Sequence, residues 1–421
     1  MAASHRGNLQ TFLFLVAVNL FTAAVGVITQ VQIANTLGKA LFGELAYGLS
    51  IAAFGQVFIR FGTDRTLVRD LIHHSDLFAE LVSGSLLLRY MLTVVAVVSL
   101  LAWKMLSASP DVTWGLLLVI IANSVLSLDL QPAYEALQRM QRHAVYFFLY
   151  KAVYFGIIWG IILLSPASLS IPTIGWAALA AVVFYMCLQH RWVMQRLSEG
   201  AHPSRPLRQA FWLARRNLWV CLATVLGLFI TVLNQLVLKS SAGPSALGGY
   251  AAAMQLVLVG VLFLEQISRI GRPAVARYTR PDVPWDTRVR FLAQYLAVMV
   301  LTVAPLAAIM VLAPHQVLRA IFKPEYANSA PTMKILGGYM ILYAIGLVAS
   351  QYVISAGMDR IYMISVSLGC AVSAVLCAVL IPRWGSEGAA WALVCAHGLP
   401  IACYWWAVVR QRPTVLGGEG G

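Results

Sequence analysis

Glu265, Arg269 and Arg272 follow one another at spacings of four and three residues, which places all three on one face of a helix. They close an apolar run, and other charged residues sit against or inside apolar runs of the same kind: Arg60 followed by Asp64, Arg89, and Asp129. A guanidinium cannot shed its proton, and an isolated ion in hydrocarbon costs several kcal/mol. Each of these arginines therefore needs a carboxylate, water or an anionic cargo. Arg60 either faces a cavity or snorkels to the headgroups, while Arg65 and Arg69, one turn on, read as interface anchors. Asp129, with Asn123 and Gln131 close by, can carry a coupling proton or pair with Arg89 or Arg139. Uncharged hydrogen-bonding groups recur too, with Gln32 in the first apolar run and Asn234 and Gln235 in the seventh. Such amides either meet hydroxyl groups of a cargo or fasten helices to one another.

The elements that must hold these residues follow from composition. Of 421 residues only 11% are charged and 60% are hydrophobic, with mean hydropathy +0.78. A soluble domain carries about 25% charged residues, so this chain reads as an integral membrane protein. The net charge of +14 is scattered through short loops without a Lys/Arg-rich block or interleaved aromatics, which argues against nucleic acid as a partner. Cys187, Cys221, Cys370, Cys377, Cys395 and Cys403 all lie in apolar stretches with no CxxC and no adjacent His cluster, so neither a disulfide nor a metal site is expected. There is no Walker A loop, no GxSxG and no sizeable external loop, and the expectation is a non-enzyme without a cofactor.

A spanning helix needs about 20 apolar residues. Windows of that length predict twelve all-α spans, over 9–30, 41–62, 83–103, 113–136, 145–165 and 172–194, then 211–238, 247–270, 291–313, 333–355, 361–381 and 387–409. With the N-terminus inside, 23 of the 30 Lys and Arg residues fall on the inner side, Lys151 counted among them; the positive-inside rule then puts both termini in the cytoplasm. Six of the twelve tryptophans, Trp159, Trp176, Trp384, Trp391, Trp405 and Trp406, read as interfacial belt residues.

Laying the halves over each other at an offset of 205 matches Gly38-Lys-Ala-Leu-Phe-Gly43 with Gly243-Pro-Ser-Ala-Leu-Gly248. At an offset of 218, Tyr134, Met140 and Arg142 match Tyr352, Met358 and Arg360. Two six-helix lobes of like orientation, 1–197 and 211–421, joined by a cytoplasmic linker at 198–210, are expected to flank a central cavity. Under the offset of 205, Arg60 falls on Glu265 and Asp64 on Arg269, opposite charges at equivalent depths. An ion pair between the lobes there, closing the cytoplasmic side, is the reading of that reversal.

Several segments together resemble Wzx-type polysaccharide flippases of the MOP exporter superfamily. They are Asn35-Thr-Leu-Gly-Lys-Ala-Leu-Phe-Gly43, Phe61-Gly-Thr-Asp-Arg-Thr-Leu-Val-Arg69, Asn234-Gln-Leu-Val-Leu238, Ile321-Phe-Lys-Pro-Glu-Tyr-Ala327, and Ser355-Ala-Gly-Met-Asp-Arg360 followed by Leu380-Ile-Pro-Arg-Trp-Gly-Ser-Glu-Gly-Ala-Ala390. The chain departs from relatives at Asn234, where Asp is frequent. The resemblance implies a MOP/MATE-like fold and the movement of undecaprenyl-diphosphate-linked oligosaccharide from the inner to the outer leaflet of a bacterial inner membrane, for O-antigen or exopolysaccharide assembly. The lipid bilayer is then a partner, and the polysaccharide polymerase and export machinery another. Arg60, Arg89, Arg269 and Arg272 become expected diphosphate contacts, since the guanidinium fork grips phosphate oxygens. Gln32, Asn234 and Gln235 become expected sugar contacts, Arg60, Glu265 and Asp64 a gate, and Asp129 a coupling residue. A MATE-type cation-coupled drug exporter shares the superfamily fold and is the alternative; scarce membrane carboxylates count against it. A membrane-embedded glycan ligase or polymerase is disfavoured by the short external loops.

Overall fold

The computed structural model describes residues 2–73, 77–106, 113–137, 139–198, 206–280 and 282–411. Among them every long element is helical and no strand occurs. The helices are α1 (Ala2–Leu37), α2 (Lys39–Arg60), α3 (Thr63–His73), α4 (Phe78–Leu106), α5 (Trp114–Val125), α6 (Gln131–Ala136), α7 (Met140–Leu164), α8 (Ile171–Ser198), α9 (Pro206–Tyr278), α10 (Trp285–Leu312), α11 (Pro314–Ile321), α12 (Ala330–Ser355) and α13 (Asp359–Arg410). Ten stretches are long and apolar enough to cross a membrane, and two of these, in α9 and α13, are interrupted at Gly243 and Gly385. Dividing them there gives twelve spans. The chain is a multi-pass membrane protein, and its outward residues agree: Val94, Val95, Val98 and Leu101 form an exposed apolar stripe on α4 of the kind lipid covers.

Two compact units make up the chain, Met1–Leu228 and Phe229–Gly421. In the first, α2 lies close on α5 because its contact face carries glycines. A methyl group on Gly48 would fall 2.5 Å from Leu116 Cδ1, and one on Gly55 2.5 Å from Ser124 Oγ. Small residues let backbones approach where no hydrophobic drive exists between spans. The non-spanning α3 tucks Leu67 and Leu71 into a core with Leu81, Leu86, Leu130, Tyr134 and Trp192. The opening turns of α9 pack Ala210 and Leu213 on Leu88 of α4, and Arg216 grips Asp70 of α3 with two bonds of 2.9 and 3.0 Å. Residues 206–228 thereby belong to the first unit, and residues 199–205 of the expected linker lie outside the described residues.

In the second unit α12 packs on α10, with Gly337 against Met310 and the carbonyl of Ala307, while Gly346 receives Ile401 of α13. The sequence repeat has a backbone counterpart. Gly38 adopts φ 80°, ψ 167° and Gly243 φ 82°, ψ 172°, a region open in practice only to glycine. Tyr134 and Tyr352, matched at the second offset, are both buried near the end of a helix that precedes α7 or α13.

Candidate functional site

The fourth span breaks before it ends. Pro132 has no N–H to give to the carbonyl four residues back, and its ring crowds that carbonyl; the chain leaves the helix at Val125, makes a short 3₁₀ turn over Leu126–Leu128, extends at Asp129 and resumes as α6. Inside a membrane each freed backbone group needs a partner, and side chains supply them. Leu130 N–H donates to Gln189 Oε1 at 2.8 Å, and Gln131 N–H to Asp129 Oδ1 at 2.8 Å. The carbonyls of Ser127 and Asp129 accept from Arg89 Nη1 at 3.1 and 2.6 Å.

Arg89 is only 2% exposed and spends its other donors on the start of α3. Its Nε and Nη2 donate to Thr63 Oγ1 at 3.1 and 2.8 Å, and Nη2 also to Asp64 Oδ1 at 2.5 Å. Thr63 and Asp64 are presented to it by a sharp turn in which Phe61 (φ 47°) and Gly62 (φ 71°) both take left-handed backbone. Asp64 also pairs with Arg60 at 3.2 Å, and that arginine is 36% exposed.

The Asp129 carboxylate meets His143 Nε2 at 3.0 Å, and Tyr185 Oη lies 3.1 Å from the same nitrogen. From His143 an aromatic series climbs α7, through Phe147 and Tyr150, both packed against Tyr185. Lys151 stands next, eleven residues after Met140 and thirteen before Leu164, about 16 and 20 Å from the helix ends at 1.5 Å per residue. Its ammonium lies over Tyr150 and Phe147, 5.1 and 5.7 Å from the ring centroids. A cation–π contact returns about 0.5–2 kcal/mol, against about 2.5–3.5 kcal/mol for a lysine at a span centre on the insertion scale. The aromatic faces therefore offset part of the cost of that charge.

In the second unit Tyr343 donates to Glu265 Oε1 at 3.1 Å, and Arg272 reaches Glu265 Oε2 at 4.0 Å while 60% exposed. Asn234 is fully buried, and its Nδ2 donates to Tyr250 Oη at 2.6 Å, fastening the two halves of α9 across the break at Gly243. Gln351 joins Tyr295 of α10 to Ser268 of α9. A cavity of about 600 Å³ opens at the turn from α9 to α10, where Arg288 spends Nη2 on the carbonyls of Arg280 and Val283.

A family described as polysaccharide biosynthesis protein matches residues 9–270. The chain belongs to this polysaccharide biosynthesis family. Solved structures similar to it carry the MOP fold. One is the lipid II flippase MurJ in an inward closed conformation, at TM-score 0.75 and 11% identity, covering 94% of this chain and 87% of that one. Another is a MOP superfamily transporter from Pyrococcus furiosus, at TM-score 0.61 and 14% identity with 95% of each chain covered. A mutant of the Vibrio cholerae MATE transporter VcmN aligns at TM-score 0.62 and 12% identity, over 95% and 96%. No curated protein matches the chain in sequence.

For this member of the family, three of the residues singled out in the sequence come together in the first unit: Arg60, Asp64 and Arg89. Arg89, expected to grip diphosphate, has every N–H direction taken by protein in this conformation, so it rivets α3 to the break in the fourth span. Asp129 pairs with His143, not through its carboxylate with Arg89 or Arg139. Glu265 and Arg272 share a face as their spacing requires, whereas Arg269 is exposed and makes no ion pair among the described residues. Asn234 acts as helix glue here, with no exposed atom to offer a sugar; Gln32 and Gln235 are half-buried. The side chains of Arg65 and Arg69 lie outside the described residues. Lys151 is a correction: counted as an inner-loop charge, it sits near the middle of α7, because that helix begins at Met140 and not near 145. His143, Tyr185 and Gln189 were not anticipated, since nothing local marks them, and the break that gathers them falls within what was expected as one helix over 113–136.

Proposed function

We propose that this chain is a flippase carrying undecaprenyl-diphosphate-linked oligosaccharide from the inner to the outer leaflet of the bacterial inner membrane, for assembly of a surface or secreted polysaccharide, with both termini in the cytoplasm. What carries the reading is a surplus of cation along the spans of a polysaccharide biosynthesis family member. Arg60, Lys151, Arg269 and Arg272 are answered within their own units by Asp64 and Glu265 alone among the described residues. A diphosphate crossing hydrocarbon needs that surplus. The polyprenyl tail stays in the bilayer, and the sugars need a wet path with uncharged donors such as Gln32 and Gln235. The fold shared with a lipid II flippase supports the same reading.

Movement would proceed by alternating access of two six-helix lobes, a scheme supported by the matched glycine turns at Gly38 and Gly243. Handing the product to a polymerase and export machinery completes the role. The charge reversal of the repeat, Arg60 against Glu265, is read as the cytoplasmic gate: the double exchange Arg60→Glu with Glu265→Arg should recover transport that either single exchange loses, and no recovery sinks the pairing. The Asp129–His143 pair is the group assigned to proton coupling.

The reading is tested by reconstituting the purified chain in vesicles with a lipid-linked oligosaccharide and following access of the sugar to an external lectin. Chain-dependent exposure is the expected result. Unchanged exposure, together with proton-driven uptake of a cationic dye, would replace the flippase by a MATE-type exporter.

A further inference from the structure

We propose that Lys151 forms an anion site inside the first unit that takes the diphosphate of the cargo. This rests on the flippase reading and adds to it a contact on α7 for the charged group. The two arginines of the first unit singled out for that role are already engaged, Arg89 with every donor on protein and Arg60 with Asp64. Lys151 differs from both. Its ammonium reaches one turn back along α7, to the faces of Phe147 and Tyr150, and makes no hydrogen bond or ion pair among the described residues. A lysine near the middle of a span that stops on aromatic rings holds an uncompensated charge, and the partner that answers it must come from outside the protein or from water.

Two further observations point the same way. Trp159, two turns above Lys151 on the same face, has a covered indole N–H with no acceptor, which is not how a belt tryptophan sits. Phe155 lies between them with its ring 5.5 Å from that of Trp159. The face thus offers a point charge and an aromatic surface over eight residues, about 12 Å. That length matches a diphosphate followed by a first sugar. The ammonium is a compact charge suited to phosphate, and an indole suits the apolar face and hydroxyl rim of a sugar.

The test uses the full chain in lipid nanodiscs, with inorganic pyrophosphate and undecaprenyl diphosphate as probes. An amine-acylating reagent read by mass spectrometry reports whether the Lys151 amine is covered. Both probes should protect Lys151, and Lys151→Met should weaken undecaprenyl diphosphate binding by about tenfold or more while Lys151→Arg stays within about threefold. The Met variant should also unfold no earlier than the parent, since it loses an unpaired charge. Wild-type affinity in the Met variant overturns the site. Equal protection by phosphatidylglycerol assigns it to bulk headgroups and overturns it as well. The two readings fail separately: a chain that exposes lipid-linked sugar while Lys151 stays unprotected loses this site alone, and one that protects Lys151 but translocates nothing loses the flippase function while the anion site stands.

Discussion

Arg89 carries a charge across a membrane interior by giving every donor to the protein, and Lys151 carries one with almost no partner. That contrast is the main result at the scale of single residues. Replacing Arg89 by Ala would leave the carbonyls of Ser127 and Asp129 in the broken span without their donor and leave Asp64 to Arg60 alone, at a cost of about 1–3 kcal/mol for each buried group left unsatisfied. The expected outcome is a large fall in the unfolding midpoint and in membrane abundance. Arg89→Lys should recover only part of the loss, because three rotatable donors cannot reproduce the fork. Equal stability of the Ala variant would contradict the rivet. The Asp129–His143 pair is tested by rate: His143→Gln should remove the dependence of transport on an imposed pH gradient. Asp129→Asn keeps an acceptor for Gln131 N–H and should therefore spare the break while removing the same dependence. An unchanged dependence in both would make the pair structural. Legibility at this scale was uneven. Arg60 and Asp64 are neighbours by helical spacing and could be paired from sequence. The partners of Arg89 are carbonyls 38 and 40 residues away, freed by a break, and no local pattern reaches that far.

Among the helices, the spans were legible nearly throughout, because an apolar run of 20 residues has few alternatives in a chain of this composition. What sequence windows could not give is where a span is interrupted. α5 and α6 were expected as one helix over 113–136, and the 3₁₀ turn between them provides the carbonyls that Arg89 needs. Gly243 marks the complementary case, an interruption visible as one half of a repeat. Its φ of 82° with ψ of 172° belongs to glycine, so Gly243→Ala should cost about 1–3 kcal/mol even though no atom stands within 4 Å of the added methyl. Gly227→Ala, equally free of contacts but inside a regular helix, should be neutral or stabilising by up to about 1 kcal/mol. Thermal unfolding of the pair in one detergent separates backbone strain from lost space, and equal effects would contradict the assignment of strain to Gly243.

Over the whole molecule, composition alone fixed the class: with 11% charged residues the chain has no other solvent than lipid. The family match and the MOP fold agree with the loop patterns that first suggested them. Less legible was how the charge is shared out, since a net charge of +14 reads as topology until Lys151 is seen within a helix and Arg89 within a core. The central claim, that this chain moves lipid-linked oligosaccharide between leaflets, is tested most directly by deleting its gene and measuring two quantities in the same cells: surface polysaccharide, and the leaflet in which isoprenoid-diphosphate oligosaccharide accumulates. The account predicts loss of the polysaccharide with precursor held in the inner leaflet. Precursor already exposed in the outer leaflet would contradict it and point to a ligase or polymerase, and normal polysaccharide with new sensitivity to cationic drugs would contradict it in favour of drug export.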